Sequence, residues 1–205
     1  TVIAGELSTS STEIANLCID GDKSHQTSEN IDGQQCGIIM FSNYASIHDI
    51  YVKNTVQTGV YDSGYSFNND YHIFAYQCGS GETNSYGGFL FSTPTRSTAN
   101  GIYTVECNPG IKIDNIAFSS VTNLHDDSCV GYRILISSSC HDSDFNFLHS
   151  SNSNGYGIIL GSSGTTRNHF GSLYSDHDGL QGITISSNDT TIDYISVTSA
   201  GRKVA

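Results

Sequence analysis

The stretch GIIMFSNYASIHDIYV, residues 37–52, opens with a Gly and three apolar residues and closes with a polar residue followed by apolar-x-apolar. Both motifs recur along the chain. Gly-led apolar runs stand at Gly37, Gly59, Gly101, Gly131, Gly157 and Gly182, and polar-apolar-x-apolar runs at Leu17, Ile50, Ile73, Ile116, Phe145 and Ile195. From each Gly to the next apolar-x-apolar run the steps are 13, 14, 15, 14 and 13 residues. A further strand is required near Phe170, 13 residues after Gly157, where NHFGSLY puts Ser172 in an apolar slot. The return steps vary, at 9, 15 and 12 residues, so loops on one edge differ in length while the other side stays regular. GGFLF at Gly88 falls inside the span from Ile73 to Gly101 and predicts an insertion at about 78–100, with an extra hairpin around STPTRSTAN. Strands of four or five residues, period-2 alternation and a repeat of about 22 to 29 residues predict an all-β solenoid, a single domain in which each coil buries its inward side chains against its neighbours. Helical periodicity is absent, and leucine-rich repeats would need Leu at fixed places.

Composition narrows the function classes. The chain has 205 residues, 8 basic against 20 acidic, a net charge of −12. Nucleic-acid binding rests on Lys and Arg neutralising phosphates, so DNA and RNA are poor partners. No run approaches 18 apolar residues, so no membrane insertion is expected. Only 14% of residues are charged, Trp is absent and Met occurs once, a profile that suits an extracellular protein or the surface of a virion. The chain starts at Thr1 with no leader, as expected after removal of a secretory signal. Cys18, Cys36, Cys78, Cys107, Cys129 and Cys140 make an even set with no CxxC pair, which favours disulfides between sequence neighbours over a zinc site. The alternative is reduced cysteines acting as small core residues.

The segment NLCIDGDKSHQTSENIDGQQCGIIMF, residues 16–41, resembles an early rung of the right-handed parallel β-helix proteins of the pectate-lyase-like superfamily, where IDG leads into a long loop and then a GI strand. The resemblance of pattern covers nearly the whole chain. It implies about seven coils, which at ~4.8 Å each make a rod of roughly 35 Å. Its open ends would need a cap or a neighbour, so an excerpt of a longer protein, a homo-oligomer or end-to-end stacking is expected. The superfamily includes polysaccharide lyases, hydrolases and epimerases, and viral tailspike-type proteins. Its polygalacturonase-like branch is marked by Asn-x-Asp, Asp-Asp, His-Gly and Arg-x-Lys. Here the nearest matches are Asn68-Asn69-Asp70, Asp126-Asp127, His177 with Gly179 one residue too far, and adjacent Arg202-Lys203.

Asp127 and Asp178 each lie four residues before a motif Gly, so they are expected at equivalent places two coils apart. At ~4.8 Å per coil that is roughly 9 to 10 Å, near the upper separation of the two carboxylates in inverting glycosidases. Asp127 and Asp178, with His177 beside them, are therefore the candidate catalytic residues. The competing reading of SDHDG, residues 175–179, is a polar turn whose side chains bond local backbone. No cofactor is required. Calcium is the candidate cation, held by oxygens of paired Asp on adjacent coils, with Asp126 and Asp176 as ligands. Lys53, Lys112 and Arg133 read as solvated side chains, and His149 as a member of a polar turn ladder with Asn54, Gln77 and Ser120. Tyrosines cluster in the first half of the chain. Tyr51 and Tyr76 should point outward and are the candidate carbohydrate-binding residues, though stacking between coils gives the same pattern. Asn188-Asp189-Thr190 is a glycosylation sequon. The leading expectation is a β-helix that recognises a polysaccharide or glycan at a cell or virion surface. The alternatives are a glycoside hydrolase or polysaccharide lyase, and a purely structural fibre or virion subunit.

Overall fold

The computed structural model describes residues 3–5, 11–25, 35–64, 66–79, 87–137, 139–152, 154–161, 164–198 and 202–204. The chain is an all-β right-handed parallel β-helix. Nine short strands, Ile3–Gly5, Ile38–Met40, Val60–Asp62, Phe89–Ser92, Ile111–Asp114, Tyr132–Ile136, Tyr156–Leu160, Gln181–Ile185 and Arg202–Val204, stack in chain order as one sheet. Eight longer strands stack as a second: Thr12–Asp20, Ala45–Lys53, Asn69–Tyr76, Thr98–Val105, Ser120–Asp127, Asp144–Ser151, His169–Asp176 and Thr191–Thr198. Every pairing is parallel and in register, and a third column of single bridges runs Ser66, Thr95, Ala117, His141, Thr166, Asn188. Lys23–His25 is one short 3₁₀ turn.

Each long strand from the first to Asp144–Ser151 is bent by one residue with positive φ: Asn16, Asp49, His72, Gly101, Asn123 and Phe147. Such a residue reverses the side-chain alternation locally and divides the strand into two limbs. Before the bend Ile47, Ala99, Val121, Phe145 and Phe170 point inward; after it Ile50, Ile73, Ile102, Leu124, Leu148 and Leu173 do. All are buried, and they pack against Ile38, Phe89, Ile111, Ile134, Ile158 and Ile183 of the short-strand sheet as one core.

The register departs from the expected alignment of motifs. The inward corner before the short strands holds Gly37, Gly59, Gly88, Gly110, Gly157 and Gly182 in one column, with Arg133 in the place between Gly110 and Gly157. Gly101 is instead a bend residue, and Gly131 lies two positions before the column. Phe145 and Phe170 belong with Ile47 rather than Ile50, and Ile116 precedes a corner bridge. A coil contains several inward positions, so apolar-x-apolar recurs in more than one column and the steps alone do not distinguish them. The repeat length itself holds: successive members of the glycine column are 22, 29, 22, 23, 24 and 25 residues apart. Phe89–Ser92 is a regular rung and Thr95 a regular bridge, so an extra hairpin around residues 92–100 is replaced by an ordinary corner. The added length of that coil lies between Gly79 and Gly87, where residues 80–86 are outside the described residues.

All six cysteines are free thiols, which corrects the expected disulfides. Five are buried as core, and Cys18 is exposed. Cys78, Cys107 and Cys129 form a column in which the N–H of Cys78 donates to Cys107 Sγ (3.4 Å) and that of Cys107 to Cys129 Sγ (3.1 Å). The sulfurs fill space left by the glycine column: a Cβ on Gly59 or Gly88 would lie 3.1 Å from Cys78 or Cys107 Sγ.

Replacing Phe145, fully buried and stacked on Phe170 at 4.8 Å, by Ala should cost about 3–5 kcal/mol in urea unfolding. Phe147→Ala, two residues on but exposed, should change stability by less than about 1 kcal/mol.

Candidate functional site

The outward positions of the first limb make one continuous polar face. One column runs Ser46, Asn69, Thr98, Ser120, Asp144, His169, and the next runs His48, Tyr71, Asn100, Thr122, Asn146. Neighbours bond across coils: Thr122 Oγ1 and Asn123 Nδ2 both donate to Asn100 Oδ1 (2.9 and 2.8 Å), and Ser46 Oγ donates to the Asn69 carbonyl (3.1 Å). Toward its C-terminal coils the face opens into a groove of about 510 Å³ lined by Ser120, Thr122, Asp144, Asn146, His169, Ser172 and Asp193. Gly171 forms its floor, since a Cβ there would lie 2.4 Å from Asn146 Oδ1.

His169 bridges three coils within the groove. Its Nε2 is 2.9 Å from Asp193 Oδ2 and its Nδ1 3.3 Å from Asp144 Oδ1. The hydrogen bond to Asp193 raises its pKa above the ordinary histidine value; burial opposes this, and Asp144 adds a further, smaller rise. The imidazole is thereby held in its cationic form between two carboxylates further into the neutral range. At the far end of the face His48 is placed alike, with Glu13 and Asp49 each at 2.8 Å, and lies flat on Tyr71 at 4.5 Å.

Aromatic side chains border the face at both corners. On one corner Tyr44, Phe67 and Phe118 are exposed residues with positive φ. On the other, Phe147 is 44% exposed and Tyr194 51% exposed, with Tyr174 between them at 5.3 and 5.6 Å and tilted by 49° and 48°. Positive φ is costly for a bulky residue, and Phe147 adopts it where Asn123 and Gly101 stand in earlier coils; the ring is displayed to solvent at the expense of backbone strain.

The residues singled out from sequence are distributed differently. Asp127 faces outward in a column with Ser151 and Asp176. Burial alone would raise its pKa, but hydrogen bonds from Asn152, Ser128 and Ser151 hold it below the usual value. Asp178 is interior: it has no exposed surface and accepts from Ser150 Oγ (3.2 and 3.1 Å to its two oxygens) and from Ser175 Oγ. The outward counterpart of Asp127 two coils on is Asp176, so the expected equivalence of Asp127 and Asp178 is corrected: one carboxyl faces outward and the other inward. His177 is exposed at the turn, 2.7 Å from Asp176, in the polar ladder that also holds Asn54, Gln77, Glu106, Ser128 and Asn152. His149 is not in that ladder; it belongs to the outward column Tyr51, Phe74, Tyr103, His125, His149, Tyr174. Asp126 points inward and Asp176 outward, so the two do not share a cation. Among the described residues no group of three or more His, Cys, Asp or Glu is placed to hold a metal ion. Tyr51 points outward as expected, but its ring lies against Phe74 at 5.3 Å and 9°, so one ring face is covered. Tyr76 is outward and half-buried; burial raises its pKa, and the neighbouring Glu106 raises it further. Tyr65, Tyr86 and the side chains of Arg202 and Lys203 lie outside the described residues.

Arg133, read from sequence as solvated, is fully buried. Its Nη1 donates to Asp126 Oδ2 (3.3 Å) and to the Ser151 carbonyl (2.9 Å), while Thr104 Oγ1 donates to Asp126 Oδ1 (2.7 Å). Burial pushes Asp126 up to about 6 against the pull of Arg133. Asp144, His169 and Asp193 were missed because each looked like the polar starter or interior of its strand; the usable signal was that acid, imidazole and acid fall on one outward limb in three consecutive coils.

Comparisons with protein-family models and with curated proteins find no match. Among solved structures, a double mutant of the periplasmic alginate epimerase AlgG superposes with a TM-score of 0.52 at 12% identity, over 97% of this chain and 61% of that one. The likeness is one of fold, and the chain spans 61% of that enzyme's length. Among the described residues no helix is long and apolar enough to cross a membrane.

Replacing Arg133 by Gly, the residue of its column, should cost about 3–5 kcal/mol at pH 8, where Asp126 is left as an uncompensated buried charge. The loss should shrink at pH 5, below the value near 6 at which Asp126 takes up a proton, and adding Asp126→Asn should recover part of it at pH 8; urea unfolding at both pH values measures this.

Proposed function

We propose that the chain is a pectate-lyase-like β-helix that recognises a polysaccharide at an extracellular or virion surface, with the glycan lying along the polar face of the first limb. The observation that carries this is the combination on one surface of hydroxyl and amide side chains, a groove with a carboxylate–imidazolium–carboxylate triplet, and exposed rings on both borders. Asn, Thr, Ser and carboxylate groups match sugar hydroxyls in donor and acceptor type, and the rings at Phe147 and Tyr194 offer apolar faces to pyranose C–H groups. The net charge of −12 and the two groove carboxylates favour a neutral or amino-sugar polymer over a polyuronate, which like charge would repel. Asp144 and Asp193 on either side of a protonatable His also give the hydrolase reading a place to act, so binding and cleavage are read out together.

The test is a glycan array and polysaccharide panel on the purified chain, scored for retention and for released reducing or unsaturated ends. Neutral or amino-sugar polymers should be retained. His169→Ala and the pair Phe147→Ala with Tyr194→Ala should each weaken retention on the order of tenfold, equivalent to about 1.4 kcal/mol, while Tyr51→Ala on the other limb should leave it unchanged. Release of ends that disappears in Asp144→Asn or Asp193→Asn would make the protein an enzyme; absence of both retention and release would favour a structural subunit.

A further inference from the structure

Asp62 ends the short strand Val60–Asp62 and Asp70 is the second residue of the long strand Asn69–Tyr76. The corner between them turns both carboxyls into the interior, and neither has any exposed surface. Asp62 is supplied with donors: the Gly64 N–H reaches Oδ1 at 2.9 Å, and Asn68 Nδ2 lies 2.9 Å from each oxygen. Gly64 allows this, because a Cβ there would sit 1.9 Å from Asn68 Nδ2 and 2.2 Å from the Ser42 carbonyl. Asp70 is the opposite case: neither carboxyl oxygen makes a hydrogen bond of full geometry, and the Ile47 N–H gives it only a weak pull against the effects of burial and of Asp62. Its inward column neighbours are Ile47 and Ala99, and those of Asp62 are Met40 and Phe91; none ionises. Ser42, Thr93 and Ser97, from the corners of the coils on either side, are neutral. Among the described residues the charged group that faces each of these carboxyls is the other.

Two ionised carboxylates side by side in an interior with no exposed surface repel and are poorly solvated, and a group short of donors adds to the cost. A single proton removes the repulsion, halves the buried charge and lets Asp70 form a hydrogen bond. We propose that Asp62 and Asp70 form a proton-binding site in which Asp70 holds the proton and donates it to the Asp62 carboxylate. Asp62, with three N–H···O contacts, is the natural anion, and Asp70 gains a hydrogen bond of full geometry. Burial pushes both pKa values up, and the neighbouring Asp62 pushes Asp70 further. In the unfolded chain both carboxyls titrate near 4, so the folded state retains protons that the unfolded state has released. The contribution to stability is therefore complete below about pH 4 and is lost as pH rises through the folded-state values. The site sets the N-terminal half of the rod for acidic surroundings.

The test compares thermal unfolding of the wild type and Asp70→Asn between pH 4 and 8. The wild-type midpoint should fall as pH rises. The variant, whose Nδ2 donates to Asp62 at every pH, should show a shallower slope and melt above the wild type at pH 8. Asp126 and the surface His–carboxylate pairs titrate in both proteins, so the difference between the curves isolates the pair. Parallel curves, with the variant lower throughout, would overturn the proposal. Should the variant fail to fold, ¹³C carboxyl shifts of the wild type decide: a protonated Asp70 resonance at pH 6 supports the site, and an ionised one refutes it. Calcium chloride that raises the wild-type midpoint and abolishes its pH slope would assign the pair to a cation instead.

Discussion

In-register stacking of one coil on the next is the constraint from which the other features follow. At a strand spacing of ~4.8 Å every inward atom has an equivalent atom directly above and below it, so each column can hold only side chains that tolerate a near-copy of themselves. Aliphatic and phenyl groups satisfy this along the core. At the tightest corner glycine does, from Gly37 to Gly182 in every coil but the one that holds Arg133: a Cβ on Gly59 would meet the Gly88 carbonyl at 2.5 Å, and one on Gly157 the Gly182 carbonyl at 2.3 Å. The room those glycines leave is taken by thiols in the early coils and by carboxylates in the later ones.

The same stacking separates recognition from stability. Inward columns are covered on both sides by neighbouring coils, whereas outward columns are free to change from one coil to the next. The first-limb face therefore carries Asn, Thr, His and Asp without any effect on the core behind it. Hydrogen bonds between coils, such as those to Asn100, keep the exposed side chains aligned and lower the conformational entropy that a long ligand would otherwise have to remove on binding. His169 adds an imidazole whose contacts with Asp144 and Asp193 join three coils. Within the rod, by contrast, ionisable groups are few and each leans on a specific neighbour: Asp126 on Arg133 and Thr104, Asp178 on Ser150 and Ser175, and Asp62 on Asn68 and the Gly64 N–H, as a low-dielectric environment demands.

The fold was legible in the sequence because period-2 alternation and an even repeat are local, additive signals. The assignment of residues to columns was not. Phe145 and Ile50 look alike as the first members of apolar-x-apolar, and what separates them is the bend at Phe147, a backbone state no propensity assigns to Phe. Gly131 looked like a column member, while the true member of that coil is Arg133, which no reading of isolated residue types would put inside. Asp127 and Asp178 shared a spacing to Gly but not a side of the wall. The groove was hidden for a related reason: Asp144, His169 and Asp193 are far apart in sequence and ordinary in place, and only correct register brings them together. The tyrosine cluster was visible, yet whether a ring presents its face or its edge depends on the neighbouring coil.

The spacing of the glycine column records where the rod admits extra chain. Between Ile73 and Gly88 the path from long strand to short strand is longer than in later coils, and it is longer again between Leu17 and Gly37. The opposite edge, from short strand to long strand, keeps nearly constant length. One edge is thus a seam at which a coil can lengthen without disturbing its neighbours, because the two strands it joins are each already fixed by the stack. New loops, and whatever partners they meet, would accumulate along that single line of the rod while the polar face keeps its pitch.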